Sequence, residues 1–531
     1  MPKKETLILL AILFLFFALQ YKNFQKNTQS FRFGDESEHL TPAWMMTNYN
    51  SKLYKDITTN HQPLPILTSA VFFKITKYQN PFMLIERLRQ YMLLISFLGA
   101  LVLVLKFRLV GLTAVILIET VKFYLFGYHL LAESLALYPV MFLAATVTAR
   151  LLNKQPKFSS ICKNLEVILF GLGTFWVAFS LLPAWPFLLV INIIHFYRLK
   201  KEMRFLLIAS IILPTILLFM LISPGGWYHY TIMDNIRYFI PQDTETKSWN
   251  TYLLVLAYPF QSIVNPSGPI GKYLLILTAI ITTAIISTLP NIKSRLPFIF
   301  KFALIYLLFV LLNLRITRID IAFYTAFHIL PMLGALTIAA IILFKNSVSL
   351  FKKEPAKKIA LLFFGALLLT TSLFFNTTWW REDVDKTNEH FIQYGDIESL
   401  GFALNIIKLE GDKLLVGQLE GLLNIFSGIP TAGWQNAYLD WSFQSEESTK
   451  RLVNLMENTP PTFIYFPPGG LYFNLLTPYL NKKYTQIQRG NGNKTNAYIL
   501  TSQIDKISKQ QWKDYENLYY KIPAQAQAGS N

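Results

Sequence analysis

The chain has 531 residues, of which 53% are hydrophobic, 15% aromatic and only 15% charged. A soluble protein carries about a quarter charged residues, so this composition excludes an ordinary soluble enzyme and points to a membrane protein. The formal net charge of +18 does not indicate a nucleic-acid binder, because the basic residues sit in short loops between apolar runs and not in one basic domain.

In chain order, hydropathy predicts eleven spans, near 5–20, 83–105, 109–127, 131–149, 164–181, 184–197, 205–222, 271–289, 297–314, 322–344 and 359–375. Runs such as LILLAILFLFFAL, YLLILTAIITTAIIST and IALLFFGALLLTTSLFF carry no charge and approach the length that crosses a hydrocarbon layer about 30 Å thick. Basic clusters fall at Lys3/Lys4, Lys106/Arg108, Arg150/Lys154/Lys157/Lys163, Arg198/Lys200/Lys201/Arg204, Lys293/Arg295/Lys301 and Lys345/Lys352/Lys353/Lys357/Lys358. All six fall on one side if the N-terminus is cytoplasmic and every span is real, as positive-inside loops require. Odd parity then places the C-terminal region outside. The first span also reads as a signal peptide, but it continues ALQYKNF without a small-x-small cleavage site. Cys162 is the single cysteine, so an outer domain has to be held by its own core.

Three outer regions are long. Residues 21–82 form an unusually large connector, and long ordered loops usually carry function. Residues 223–270 include YLLVLAYPFQSIV, read as a re-entrant or interfacial helix. Residues 376–531 are near neutral, with 14 Lys/Arg against 16 Asp/Glu. Here ESLGFALNIIKLE has helical spacing and KLLVGQ that of a strand. STKRLVNLMENTPPTFIYF repeats helix then strand, and KKYTQIQR and NAYILTS read as two more strands. The expectation is therefore a mostly α protein: a polytopic transmembrane helical bundle over 1–375 and a small extracytoplasmic α/β domain over 376–531.

The residues that can carry chemistry gather outside. RFGDESEHLTPAWMM crowds Asp35, Glu36, Glu38 and His39 at one predicted helix start, with Asp35 as a plausible N-cap. The plain alternative is a capped, solvated acidic turn. His129 and Glu133 are four apart and are expected to share a helix face at the start of the fourth span, as a metal pair, a second acid or an interfacial hydrogen bond. Glu119 and Lys122, three apart within an apolar run, are placed to pair with each other. Arg315 and Arg318 stand at an outer span end against the positive-inside trend, either to hold a phosphate or to pair with Asp320 or a lipid headgroup. Trp227, Tyr228, Trp379 and Trp380 read as interfacial anchors.

Together with NHQPLP at 60–65, ERLRQYML with Arg87, GYHLLAESLALYPVMF, RITRIDIAFYTAFHILP, LLNIFSGIPTAG and ENTPPTFIYF, the Asp35–Glu36 pair after the first span resembles the C-fold membrane glycosyltransferases. The resemblance is to glycosyltransferase family 39 and its bacterial relatives, which include the protein O-mannosyltransferases and the aminoarabinose–lipid A transferase. Gln62 departs from the Pro or Lys that the family often has there. The resemblance implies transfer of a sugar from a polyprenyl-phosphate donor to an extracytoplasmic glycan, lipid or protein acceptor, with inversion. Asp35 would be the base, with Glu36 orienting it or the acceptor. Arg315, Arg318, Arg87 and His61 would serve the departing phosphate, although His61 equally fits a turn cap. No cofactor is expected, and dependence on a divalent metal stays open. A lipid or glycan transporter, which would show inverted repeats and midplane charges, and a non-catalytic envelope scaffold are the rival readings.

Overall fold

The computed structural model describes residues 3–25, 34–122, 125–152, 160–241, 268–286, 292–313, 327–348, 365, 388–417, 420–435, 445–466, 470–518 and 520–521. Arg315, Arg318, Trp379, Trp380 and the YLLVLAYPFQSIV segment lie outside the described residues, as does the expected span at 359–375 apart from Gly365.

The described chain is mostly helical. Its helices are α1 (Lys3–Gln25), α2 (Ser37–Tyr49), α3 (Pro63–Ile75), α4 (Pro81–Phe107), α5 (Leu109–Lys122), α6 (Ala132–Leu151), α7 (Ser160–Ala178), α8 (Trp185–Tyr197) and α9 (Lys201–Leu221). After a short turn at Pro224–Trp227 and two π-helical turns, Tyr228–Met233 and Asn235–Phe239, follow α10 (Gly268–Ile286), α11 (Ile292–Val310), α12 (Leu330–Val348) and α13 (Asn388–Ile407). The C-terminal part adds β1 (Leu414–Val416), α14 (Leu422–Ser427), α15 (Glu446–Asn458), β2 (Phe463–Tyr465), α16 (Gly470–Lys483), β3 (Tyr484–Arg489), β4 (Lys494–Leu500), α17 (Lys509–Asn517) and β5 (Tyr520–Lys521).

These elements form two compact units. One comprises residues 1–28, 88–218 and 247–386, the other 29–87, 219–246 and 387–531. The second therefore joins the first long loop, the segment after α9 and the C-terminal region in one body.

The first unit is a helix bundle. Among the described residues, five helical stretches are long and apolar enough to cross a membrane: Lys4–Lys22, Met83–Phe107, Ala132–Leu151, Lys201–Leu221 and Phe327–Asn346. Burial separates their roles. The stretches in α6 and α12 are 89% and 94% buried, whereas those in α1 and α9 are 22% and 17% buried. Helices that are apolar all round and still exposed, as α9 is at Phe205, Leu213, Leu217 and Met220, suit contact with lipid. The α6–α12 contact uses small residues. A Cβ on Gly334 would lie 2.5 Å from Leu137 Cδ1 and 2.9 Å from Met141 Cγ, so the glycine lets these two side chains pack directly on the α12 backbone. Shorter apolar helices, at Leu182–Tyr197, Tyr273–Thr283 and Phe300–Asn313, belong to the same bundle, as do α5 and α7.

The second unit contains a five-stranded mixed sheet in the order β1-β2-β4-β3-β5. β1 and β2 run parallel, with Leu415 opposite Ile464, and the remaining pairs are antiparallel. The three residues of β1 are all buried, as a strand paired in parallel and covered on both faces requires. The four strands expected from the sequence and both expected helices are present. Leu415, Ile464, Leu452, Met456, Leu476 and Leu480 form the core between the sheet and α15 and α16. Each such side chain contributes about 1.5–3 kcal/mol on burial.

Candidate active site

In the second unit, the acidic residues after α1 stand on a 3-10 turn, Gly34–Glu36, that runs directly into α2. Asp35 is therefore not the N-cap expected from the sequence. Glu36 occupies that position in right-handed helical conformation and makes no side-chain cap bond, because a chain that is already helical one turn earlier has no extended residue to serve as a cap. The four ionisable side chains separate by burial. Glu36, Glu38 and His39 are 2%, 6% and 2% exposed, whereas Asp35 is only half-buried.

His61 joins this group from the loop before α3. Its Nε2 hydrogen-bonds the Glu38 carboxylate, and the His39 and His61 rings meet edge to face with centroids 4.7 Å apart. The loop is held by its backbone. The His61 carbonyl accepts from Tyr54 Oη at 2.6 Å and from Thr231 Oγ1 at 3.2 Å, and the Asn60 carbonyl accepts from Asn235 Nδ2 at 2.9 Å. Beside them Trp227 Nε1 donates to Gln62 Oε1 at 3.1 Å. His61 does not cap α3. Gln62 is the N-cap, extended and without a capping bond, and Pro63 follows as the first helical residue, where a missing N–H costs nothing. Tyr54 has φ of +62°, a left-handed conformation that a bulky residue adopts only when its surroundings hold it there.

Two sharp turns make room for this clamp. Asn50, with φ of +53°, ends α2 in left-handed conformation and returns its N–H to the Met45 carbonyl, an arrangement Asn tolerates. Gly226 lies so close to Tyr54 that a Cβ would stand 2.0 Å from the Tyr54 carbonyl oxygen. The C-terminal part of the unit holds the same loop: Thr58 donates to the Trp434 carbonyl from N at 2.6 Å and from Oγ1 at 2.8 Å.

In the first unit, Glu133 opens α6 but His129 does not share its helical face, contrary to the sequence expectation. α6 begins at Ala132, and His129 lies in the preceding turn, edge-on to Phe126 with centroids 4.9 Å apart. Glu133 Oε1 pairs instead with His328 Nδ1 at 2.7 Å. His129 is 4% exposed; burial, and after it the nearby Arg89 guanidinium, hold it well below the usual imidazole range. Arg89 is 1% exposed, while Arg87, the arginine singled out in the sequence, is exposed. The helical period puts these two residues, two apart, on different faces.

Glu119 and Lys122 do pair, at 3.1 Å, and both are fully buried. The Glu119 carboxylate also accepts from Tyr128 Oη and Tyr138 Oη, each at 2.5 Å, and Lys122 donates to Ser96 Oγ. A buried ion pair is tolerated when its remaining sites are hydrogen-bonded in this way, so the group is suited to bracing α4, α5 and α6. Among the described residues, no group of three His, Cys, Asp or Glu side chains is placed to hold a metal ion.

The sequence reading did not anticipate Arg89, His328 or the Tyr54–Trp227–Thr231–Asn235 clamp. Glu133 and His328 are 195 residues apart, and no local pattern links them. Chemically, the cluster at the start of α2 offers one partly accessible carboxylate, Asp35, next in sequence to the buried Glu36 and Glu38, with the His61 imidazole bonded to Glu38. Comparison with known proteins matches no family model, no curated protein and no solved structure.

Proposed function

We propose that the chain is a multi-pass membrane glycosyltransferase of the C-fold type that transfers a sugar from a polyprenyl-phosphate donor to an extracytoplasmic hydroxyl or amine, with inversion and with Asp35 as the base. The observation that carries this reading is the half-buried Asp35 carboxylate at the edge of the buried Glu36, Glu38 and His39. Proton abstraction needs a carboxylate that a substrate can reach. In this reading Glu36 orients the base or the acceptor, and His61 is tied to Glu38. Arg315 and Arg318, with Arg87 as second choice, are the proposed cations for the departing phosphate, a role suited to planar guanidinium forks.

The proposed topology has eleven spans, a cytoplasmic N-terminus and an outer C-terminal domain. Its support within the bundle is polarity of charge. Lys106, Arg150, Lys163, Arg198 and Lys200 converge on one cavity, while Glu133 starts α6 about 26 Å away, at 1.5 Å per residue along that helix.

The deciding experiment is sugar transfer by the purified protein from a polyprenyl-phosphate donor. Asp35→Asn is expected to lower turnover about 10²–10⁴-fold, as loss of a general base does, with donor binding kept. Near-normal turnover by that variant would remove Asp35 from the chemistry. Donor movement across a vesicle bilayer without transfer would favour the transporter reading, for which the buried Glu119–Lys122 pair is the observation to weigh.

A further inference from the structure

At the basic end of the first unit, the ends of α4, α6 and α8 and the starts of α7 and α9 enclose a cavity of about 350 Å³. Among the described residues, five cationic side chains line it, those of Lys106, Arg150, Lys163, Arg198 and Lys200, against one carboxylate, that of Glu166. That carboxylate is shared: it accepts from Lys106 Nζ and, at 3.1 Å, from Arg150 Nη2. The wall as a whole therefore keeps a large positive excess.

Arg150 is the decisive residue. It is 8% exposed, and its Nε and Nη1 have no hydrogen-bond partner among the described residues. Donors of a buried cation left unsatisfied are costly, so the site is completed by an acceptor that brings negative charge. Arg198 donates to the Arg150 carbonyl, which fixes the end of α6 that carries the guanidinium. A planar guanidinium with two unsatisfied donors suits the several oxygens of a phosphate. Phe107, Val167, Leu199 and Met203 supply an apolar wall to the same cavity, a surface suited to the carbon chain next to such a group.

We propose that this cavity binds a phosphate-bearing anion, with Arg150 as the anchor and Lys106, Lys163, Arg198 and Lys200 as the surrounding charge. The inference does not depend on the transferase reading, whose residues are elsewhere in the chain. Two sources carry this chemistry: the headgroup of an anionic phospholipid, which basic pockets between membrane helices take, and a soluble phosphate.

The test uses the full-length protein in neutral detergent, with ligand binding followed by native mass spectrometry and thermal unfolding. The probes are inorganic phosphate, short-chain phosphatidylglycerol and, as a zwitterionic control, short-chain phosphatidylcholine. Wild type is expected to bind phosphatidylglycerol or phosphate, and to bind either more tightly than the control. The exposed pair Lys163→Ala/Lys200→Ala, which leaves the buried residues in place, is expected to weaken binding about tenfold or more, given roughly 1 kcal/mol per surface lysine. Arg150→Lys, which keeps the charge and loses the planar guanidinium, is expected to weaken it as well. Binding of phosphatidylglycerol alone assigns the source as lipid, and binding of phosphate that competes with it assigns a soluble anion. If neither probe binds wild type more tightly than the control, or if both variants bind as wild type does, the cavity is not an anion site.

Discussion

Burial, followed by the Arg89 guanidinium, holds the His129 imidazole well below its ordinary range, and that has a consequence for stability against acid. In the unfolded chain His129 takes up a proton near its ordinary value of 6.5, whereas in the fold it stays neutral. As pH falls below that value the unfolded state binds more protons, so stability falls, by up to about 1.4 kcal/mol per pH unit for one such group. Above it the contribution is fully present. His129→Gln is expected to flatten the decline of the unfolding midpoint between about pH 6.5 and 5 relative to wild type, because an amide does not titrate there. Parallel pH profiles for the two proteins would show that His129 protonates freely in the fold. At this scale the sequence was partly legible. The acidic residues after α1 and His61 stood out by type and place, but their division into one accessible and two buried carboxylates depends on α2 packing. His328 carried no signal, since an imidazole that pairs with a carboxylate 195 residues away looks the same in sequence as one that does not.

The elements themselves follow closely from local chemistry, and the discrepancies are at their ends. Pro63 starts α3, Asn50 ends α2 and apolar spacing foretold β1, β2 and α15. α17 went unread although its capping box, Ser508 with Gln511, is a sequence signature; its short amphipathic run of nine residues lies among polar residues that resemble a loop. The start of α6 agrees to one residue, 131 against Ala132, but His129 falls in the turn before it, where the four-residue spacing to Glu133 no longer means a shared face. Close approach at Gly226 is the element-scale feature most exposed to test. Gly226→Ala would push a Cβ into the Tyr54 carbonyl, which stands 2.0 Å from that position, and backbone cannot swing aside as a side-chain tip does. The expected cost is about 1–3 kcal/mol of stability, as for other overpacked sites. The variant is also expected to lose transfer activity, because Trp227 and Thr231, on the same segment, hold Gln62 and the His61 carbonyl. Unchanged thermal unfolding of Gly226→Ala would mean that the segment yields without strain.

For the molecule as a whole, the proposed topology makes one expectation about sidedness. A reporter fused after Asn376 should be active only if it is of a kind that works outside the cytoplasm, given eleven spans and six basic loops on one side. Activity of a cytoplasm-only reporter at that point would mean that a span has been missed or invented. Composition and the spacing of apolar runs determined from the sequence alone that the chain is mostly helical, with helices long and apolar enough to cross a membrane and a small α/β region near its end. Those are sums over many residues, and each residue contributes to them without knowing its partners. Only the tertiary structure decided that the loop after α1, the segment after α9 and the C-terminal region form one compact unit, since the bonds of Thr58 to Trp434 and of Asn235 to Asn60 join residues far apart in the chain. It likewise decided that α6 and α12 are central while α1 and α9 face outward. In a bilayer, a core helix and a lipid-facing helix are both apolar on every side, so hydropathy cannot rank them, and what separates them is whether small residues such as Gly334 let a neighbouring helix approach.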